Sequence, residues 1–241
     1  VPFIYRIHER PEQAKIEEMN EFIHNFGYHI KGMQSEVHPR QLQEILEKVK
    51  GTVEEAMINK VLLRSMQQAR YATVALGHFG LASNYYSHFT SPIRRYPDLQ
   101  IHRIIKEVIN NGTMPKDRRQ HYEDILPDVS EHTSLQERKA MEAERDSVDM
   151  KKVEFMKNTI GEKFEGVISG VTSFGFFVEL ENSVEGLVRV SQMTDDYYHL
   201  QQEQYALIGE RTGKIYRLGD KVKVEVYKVD TTQRQIDFVL A

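Results

Sequence analysis

Cysteine is absent from this 241-residue sequence, and so are long apolar runs. Without cysteine the chain cannot form disulfides, iron–sulfur clusters or thiolate zinc sites, and its composition is compatible with a reducing compartment. No apolar stretch approaches the roughly 18 to 20 residues that a membrane span requires, and we expect no signal peptide before Val1. We therefore expect a soluble, cytoplasmic protein without a membrane partner.

An initiator methionine is also missing, because Val1 is followed at once by PFIYRIHERP. We therefore expect the chain to begin inside a longer polypeptide. Its 241 residues leave room for two domains.

A net positive charge is lacking, because 36 acids outnumber 32 lysines and arginines and give a formal net charge of −4, which by itself argues against a nucleic-acid partner. The charges are unevenly distributed, however. Residues 52–119 contain ten lysines and arginines against five acids, and the rest of the chain is neutral to acidic. A local basic region of this kind is typical of a confined phosphate-binding surface. A solvated basic helix face is the alternative.

Helical periodicity dominates the first 160 residues, and strand signals there are too weak for a sheet. Gly27 marks one helix end, and Ser134 with Glu137 forms a capping-box pattern at the start of another helix. The predicted helices cover Pro11–Phe26, Pro39–Val49, Thr52 to about Tyr71, Leu99–Asn110, and Ser134 to about Asn158.

Short alternating runs follow Gly161, separated by Gly, Asn and Asp. The five runs are KFEGVISGV, GFFVEL, EGLVRV, DKVKVEVYKVD and RQIDFVL, and five strands in about 80 residues predict a small closed barrel. The fold class is therefore α+β, with a mostly helical domain over residues 1–160 and a five-stranded barrel over residues 161–241.

One barrel strand indicates a surface for unpaired bases. Alternation in GFFVEL places Phe176, Val178 and Leu180 inside the barrel and Phe177 outside. Phe174 and Arg189 are also expected at the surface. Bases can stack on such aromatic rings while the arginine meets phosphate. Coverage of an interdomain contact is the alternative role for these aromatics.

The stretch HFTSPIRRYP, residues 88–97, predicts an anion site. Ser91 and Pro92 suit the N-cap and first position of a helix, which would leave free N–H groups beside Arg94 and Arg95. Cations at a helix start are electrostatically misplaced unless an anion lies between them and the backbone. A phosphate explains both arginines, whereas an ion pair with Asp98 explains only one of them.

The longer run HFTSPIRRYPDLQIHR resembles the motif of the RNB family, the 3′→5′ exoribonucleases of the ribonuclease II and ribonuclease R type. The segment GERTGKIYRLG, residues 209–219, makes the ribonuclease R branch the closest match. The resemblance implies a catalytic or phosphate-holding Arg94, and an AERD motif at residues 143–146 implies that Glu144 lies by the active site. The motif positions that it implies for RNA binding are His88, Thr90, Ser91, Arg95 and Tyr96.

The C-terminal run GEKFEGVISGVTSFGFFVELENSVEGLVRVSQM is similar to the OB-fold RNA-binding domain named after ribosomal small-subunit protein one. Positions that match the RNA-facing residues of that family are Phe174, Phe177, Asp230 and Arg234. Arg189 stands where the family usually has histidine, which keeps a planar donor and changes the stacking partner.

The RNB resemblance implies magnesium, held by an Asp-x-Asp-Asp cluster that acts as a Lewis acid and activates water. This sequence has no such cluster. The nearest pairs are Asp195–Asp196, Asp146–Asp149 and Asp98–His102. We therefore expect magnesium in the parent enzyme and no metal site in this chain.

The favoured interpretation is the C-terminal part of a processive exoribonuclease that hydrolyses single-stranded or structured RNA to nucleoside 5′-monophosphates. This part would bind single-stranded RNA and not cut it, and we expect a monomeric parent enzyme whose N-terminal part is its partner. Two alternatives stay open. One is a non-catalytic RNA-binding protein on a nuclease-like scaffold. The other is a docking module in which Arg94 and Arg95 pair with a partner protein.

Overall fold

The structure is a computed structural model that describes residues 1–30, 37–52 and 54–241. Among the described helices, none combines the length and apolar character that crossing a membrane requires. The chain forms two compact units, which are not consecutive stretches of sequence. The first unit comprises residues 1–13, 32–43 and 65–143, and the second comprises residues 14–31, 44–64 and 144–241. The sequence-based boundary near residue 161 stays a prediction.

The first unit contains a small antiparallel ladder of β1 (Tyr5–Ile7) and β2 (Arg70–Ala72), in which Arg6 lies opposite Tyr71. The sequence pattern predicts no sheet in this part, and this ladder corrects that expectation. Helix α4 (Tyr96–Asn111) and the first part of α5 (Lys116–Met156) pack on the same core. Its buried side chains are Ile4, Tyr71, Ile101, Ile104, Tyr122 and Leu126.

Helix α5 begins at Lys116 and not at Ser134, so the predicted capping box is wrong. Ser134 is buried in mid-helix, where its hydroxyl donates to the Ser130 carbonyl at 2.7 Å and accepts from the Tyr71 N–H at 2.9 Å. A proline inside the helix, Pro127, hides this continuity in the sequence. Burial of Tyr122 and Leu126, which precede the proline, stabilises the helix through that point.

The second unit contains most of α1 (Gln13–His24), the second half of α2 (Pro39–Val49), and α3 (Glu55–Ser65). Helix α2 has the predicted bounds. The helix predicted from Thr52 to Tyr71 ends at Ser65, because residues 70–72 pair with β1; Val53 lies outside the described residues.

The closed barrel confirms all five predicted strands, in the spatial order β10, β5, β4, β3, β9. Neighbouring strands are antiparallel except β5 and β10, which run parallel. The strands are β3 (Lys163–Thr172), β4 (Gly175–Leu180), β5 (Glu185–Arg189), β9 (Lys221–Asp230) and β10 (Gln235–Leu240). Phe176, Val178 and Leu180 fill the interior as the alternation predicts.

A second sheet of three antiparallel strands lies between β5 and β9 in the sequence, where the residue pattern predicts none. Its strands are β6 (Tyr198–Gln201), β7 (Ala206–Gly209) and β8 (Ile215–Arg217). The segment 209–219 therefore forms the β7–β8 turn and β8 itself.

Candidate nucleic-acid interface

The motif at residues 88–97 forms a turn followed by a helix, which corrects the predicted helix start at Ser91. Residues 92–94 form a turn, and α4 begins at Tyr96 with Arg95 as its N-cap residue. The Ser91 carbonyl accepts the N–H groups of Arg94 and Arg95 at 3.3 and 3.0 Å. Pro97 lies in the first helical turn, where its missing N–H costs nothing.

Arg95 has a protein anion as its partner. The Asp98 carboxylate is fully buried, and its Oδ2 accepts from Arg95 Nη2 at 2.7 Å and from Arg95 Nε at 3.2 Å. The same oxygen accepts the Ser91 N–H at 2.8 Å. The ion pair considered from the sequence therefore exists, and it explains one arginine of the two.

Arg94 is exposed, and its side chain has no hydrogen-bond or ion-pair partner within the described ranges. Its neighbour Ile93 is completely exposed at the tip of the turn. Arg94 is therefore the cation of the motif that is available to a phosphate. Glu144 belongs to the other unit, where it is exposed on α5 and equally without a partner among described residues, so its catalytic role stays a prediction.

Just before the turn in the sequence, the ring of His88 contacts the ring of Tyr71. His88 Nδ1 is 2.9 Å from the Tyr71 hydroxyl, and burial together with the nearby Arg95 lowers the pKa of His88. Burial raises the pKa of Tyr71. The pair is therefore neutral at physiological pH. Thr90 and Tyr96 are exposed, and the Tyr96 hydroxyl accepts from Gln100.

The second unit presents four of the predicted RNA-facing residues around one cavity of about 370 Å³. Phe174 is 54% exposed, and its ring meets the edge of Phe177 at a centroid distance of 6.3 Å. Between them Gly175 passes so close to β5 that a Cβ would lie 2.2 Å from the Val188 carbonyl oxygen. A larger residue there would clash with β5. We call this cavity the barrel groove; its lining includes Phe174, Phe177, Arg189, Arg234, Asp149 and Lys152.

Both arginines of the barrel groove already have carboxylate partners. Arg189 Nη2 lies 3.1 Å from Oδ1 of Asp237, whose side chain is 14% exposed. Arg234 Nη1 lies 2.8 Å from Oδ2 of Asp146, whose side chain is 66% exposed. A phosphate in the groove would therefore compete with an acid for each guanidinium.

Asp230 has a structural role in the turn between β9 and β10. Its Oδ1 accepts the N–H groups of Gln233 at 2.9 Å and Thr232 at 3.0 Å, and these bonds lower the pKa of Asp230. The turn ends at Arg234, which has a φ of +54°, a left-handed conformation that is unusual for a side chain of this size. Asp230 thus shapes the turn that presents Arg234.

The acidic pairs noted in the sequence are engaged elsewhere. Asp196 accepts from the N–H groups of Tyr197, Arg211 and Thr212 in the hairpin loop, and His102 Nε2 is 2.8 Å from the Phe89 carbonyl. In the part of the chain that the structure describes, no group of three or more histidine, aspartate or glutamate side chains could hold a metal. The residues that the structure describes therefore do not fit a magnesium site.

The carboxylate partners of the two groove arginines, Asp237 and Asp146, were not predicted as such from the sequence. Asp237 alternates outward in β10, which the pattern shows, but its contact with Arg189 depends on the parallel pairing of β10 with β5. In the sequence Asp146 stands out only as one half of the Asp146–Asp149 pair and as the last residue of the AERD motif. No local signal connects it with Arg234, 88 positions later in the chain.

Comparisons with known proteins agree with both parts of this description. Residues 1–111 match the RNB domain, and residues 157–240 match the S1 RNA binding domain. Ribonuclease R 1 of Lactococcus lactis subsp. lactis is 47% identical over 99% of this chain and 29% of its own length. Ribonuclease R of Thermotoga maritima is 44% identical over 100% of this chain and 34% of its own length.

A solved structure of Mycoplasma genitalium RNase R in complex with ribose methylated single-stranded RNA is 29% identical, with a TM-score of 0.90. The match covers 100% of this chain and 38% of that one. This chain thus spans about a third of the length of the relatives it matches. It combines an RNB domain with an S1 RNA binding domain and belongs with the ribonuclease R proteins of the RNB family.

Proposed function

We propose that this chain is the RNA-holding part of a 3′→5′ exoribonuclease of the ribonuclease R type. The parent enzyme would hydrolyse single-stranded or structured RNA processively to nucleoside 5′-monophosphates. The observation that carries the proposal is the exposed Arg94, without a partner among the described residues, at the tip of a turn whose other arginine is neutralised. An unpaired cation at a rigid turn can meet a phosphate of the RNA backbone without breaking an existing contact.

The barrel groove supplies the second part of the proposal. Exposed Phe174 and the adjacent Phe177 give unpaired bases a stacking surface, and stacking tolerates any base sequence. Support also comes from the solved Mycoplasma genitalium RNase R, which is in complex with ribose methylated single-stranded RNA. This groove would guide the strand, while Arg94 would hold a phosphate and offset the charge that builds up during cleavage.

Metal chemistry is assigned to another part of the parent polypeptide. The described acids form no magnesium site, and Asp98, Asp146 and Asp196 each have protein partners. We therefore propose that this chain alone binds single-stranded RNA weakly and does not cut it, and that Glu144 contributes to catalysis only in the complete enzyme.

The purified 241-residue chain tests this division of labour. Fluorescence anisotropy with a labelled single-stranded RNA should show saturable binding, and a duplex of the same sequence should bind less. Chromatography after incubation with Mg²⁺ should show no nucleoside monophosphates. Magnesium-dependent release of monophosphates would contradict the proposed division, and absence of RNA binding would contradict the RNA-holding role itself.

The coding sequence before Val1 separates this proposal from a non-catalytic RNA-binding protein. An Asp-x-Asp-Asp cluster there supports the enzyme. A start codon immediately before Val1 would favour the non-catalytic alternative.

A further inference from the structure

The two oxygens of the Asp98 carboxylate differ in their hydrogen-bond partners. It lies in the first turn of α4 with 0% of its side chain exposed, so its oxygens need hydrogen-bond partners inside the protein. All of its described partners bind one oxygen: Oδ2 accepts the Ser91 N–H and two N–H groups of Arg95. The other oxygen, Oδ1, is buried and has no donor among the described residues.

These contacts join the two ends of the turn. Ser91 opens it and Arg95 closes it, and both are bound to the same carboxylate oxygen. The Ser91 carbonyl holds the turn from within by accepting the N–H groups of Arg94 and Arg95. The backbone on both sides of Arg94 is therefore fixed, while the Arg94 side chain is left exposed.

A purely structural ion pair does not explain this arrangement well. A buried oxygen without a donor lowers stability, and the exposed Ile93 at the tip adds no packing. The Asp98 contacts organise the turn and remove Arg95 as a competitor for an incoming anion. Their common result is one available guanidinium on a fixed stretch of backbone.

We propose that Asp98 is a positioning residue for Arg94, acting through the Ser91 N–H and the Arg95 guanidinium. This inference rests on the proposed function, because it requires that Arg94 holds an RNA phosphate. Asp98 itself touches no substrate. It sets the direction from which Arg94 meets the phosphate.

A double-mutant cycle on the 241-residue chain tests the proposal through the dissociation constant for a single-stranded RNA. Asp98→Asn keeps an acceptor for Ser91 and removes the charge that holds Arg95. We expect Arg94→Ala to weaken binding about tenfold in the wild type and less than about threefold in the Asp98→Asn background. An Arg94 side chain that no longer points at the phosphate contributes little affinity, so its removal costs little. The control is Asp117→Asn, an exposed acid in the first turn of α5, where the full effect of Arg94→Ala should persist.

Each outcome decides the question. Equal effects of Arg94→Ala in the wild type and in Asp98→Asn would overturn the positioning role and leave the RNA-holding role intact. No effect in any background would overturn both. If thermal melting shows that Asp98→Asn is unfolded, Arg95→Lys replaces it, because lysine keeps the charge but cannot bind the carboxylate through two nitrogens. The effect of Arg94→Ala should then fall to an intermediate value, and an undiminished effect would contradict the proposal.

Discussion

The turn at residues 91–98 and the barrel groove each contain two arginines, but they treat them differently. In the turn, one buried acid neutralises Arg95, and Arg94 has no partner in the described part of the chain. In the groove, Arg189 and Arg234 each have a carboxylate partner. The turn therefore offers a phosphate an unoccupied cation, and the groove offers one only in exchange for an acid.

We therefore expect the turn to bind a phosphate more tightly than the groove does. A phosphate that displaces a carboxylate gains little net electrostatic energy, so binding in the groove must depend more on the rings of Phe174 and Phe177. Weak contacts of that kind suit a strand that has to slide. The available Arg94 suits a point where one phosphate must be held in place.

The comparison predicts its largest effect at Arg94. Arg94→Ala should weaken single-stranded RNA binding about tenfold, because a charge-assisted hydrogen bond to phosphate contributes about 1.5–3 kcal/mol. Arg103→Ala is the matched control, since Arg103 is an exposed cation on α4 without a described partner. Anisotropy titrations at low salt give both values. Equal effects of the two variants would show that only the net charge of the region matters.

A somewhat smaller effect is expected from the rings. Phe174→Leu keeps an apolar side chain and removes the stacking surface, so affinity should fall about fivefold, at the lower end of the 1–3 kcal/mol that stacking contributes per base. Tyr227→Leu provides the control, because Tyr227 is 57% exposed on β9 and does not line the groove. If Tyr227→Leu weakens binding as much as Phe174→Leu, the groove is not the stacking site.

The smallest effect has the opposite sign. Asp146→Asn should strengthen RNA binding about twofold to threefold, because it frees Arg234 from an exposed ion pair of the kind that contributes about 0.2–1 kcal/mol. Asp149→Asn removes one negative charge from the lining of the groove, where Asp149 has no described ion pair, and it should strengthen binding less. The same titrations decide between them, and weaker binding by Asp146→Asn would contradict competition for Arg234.

The barrel could be predicted from sequence because its signals are local. Alternation in GFFVEL determines which side of β4 is buried, and glycines and polar turns bound each strand. The ends of helices could not be predicted correctly from the sequence where contacts with distant residues override local signals. Residues 70–72 leave the helical pattern to pair with β1, and α5 continues through Pro127 because its neighbours are buried.

In the candidate site, too, features with a local sequence signal were predictable and distant contacts were not. The exposure of Phe174 followed from the strand pattern, whereas the phosphate-holding role of Arg94 came from the capping argument and the family resemblance and stays a prediction. The partners of the arginines did not, because Asp146 and Asp237 are 88 and 48 positions away from Arg234 and Arg189. Asp98 is close in sequence, yet no pattern showed that it would be fully buried and bind both Ser91 and Arg95.

The salt dependence of RNA binding tests the central claim most directly. For a single strand, the slope of log K against log salt concentration becomes shallower by about 0.7 for each phosphate that the protein no longer neutralises. Arg94→Ala should reduce the slope by about that amount, whereas Arg234→Ala should reduce it by clearly less, because Asp146 already neutralises Arg234. Equal reductions for Arg94→Ala and Arg234→Ala would contradict the distinction between the available and the paired arginine.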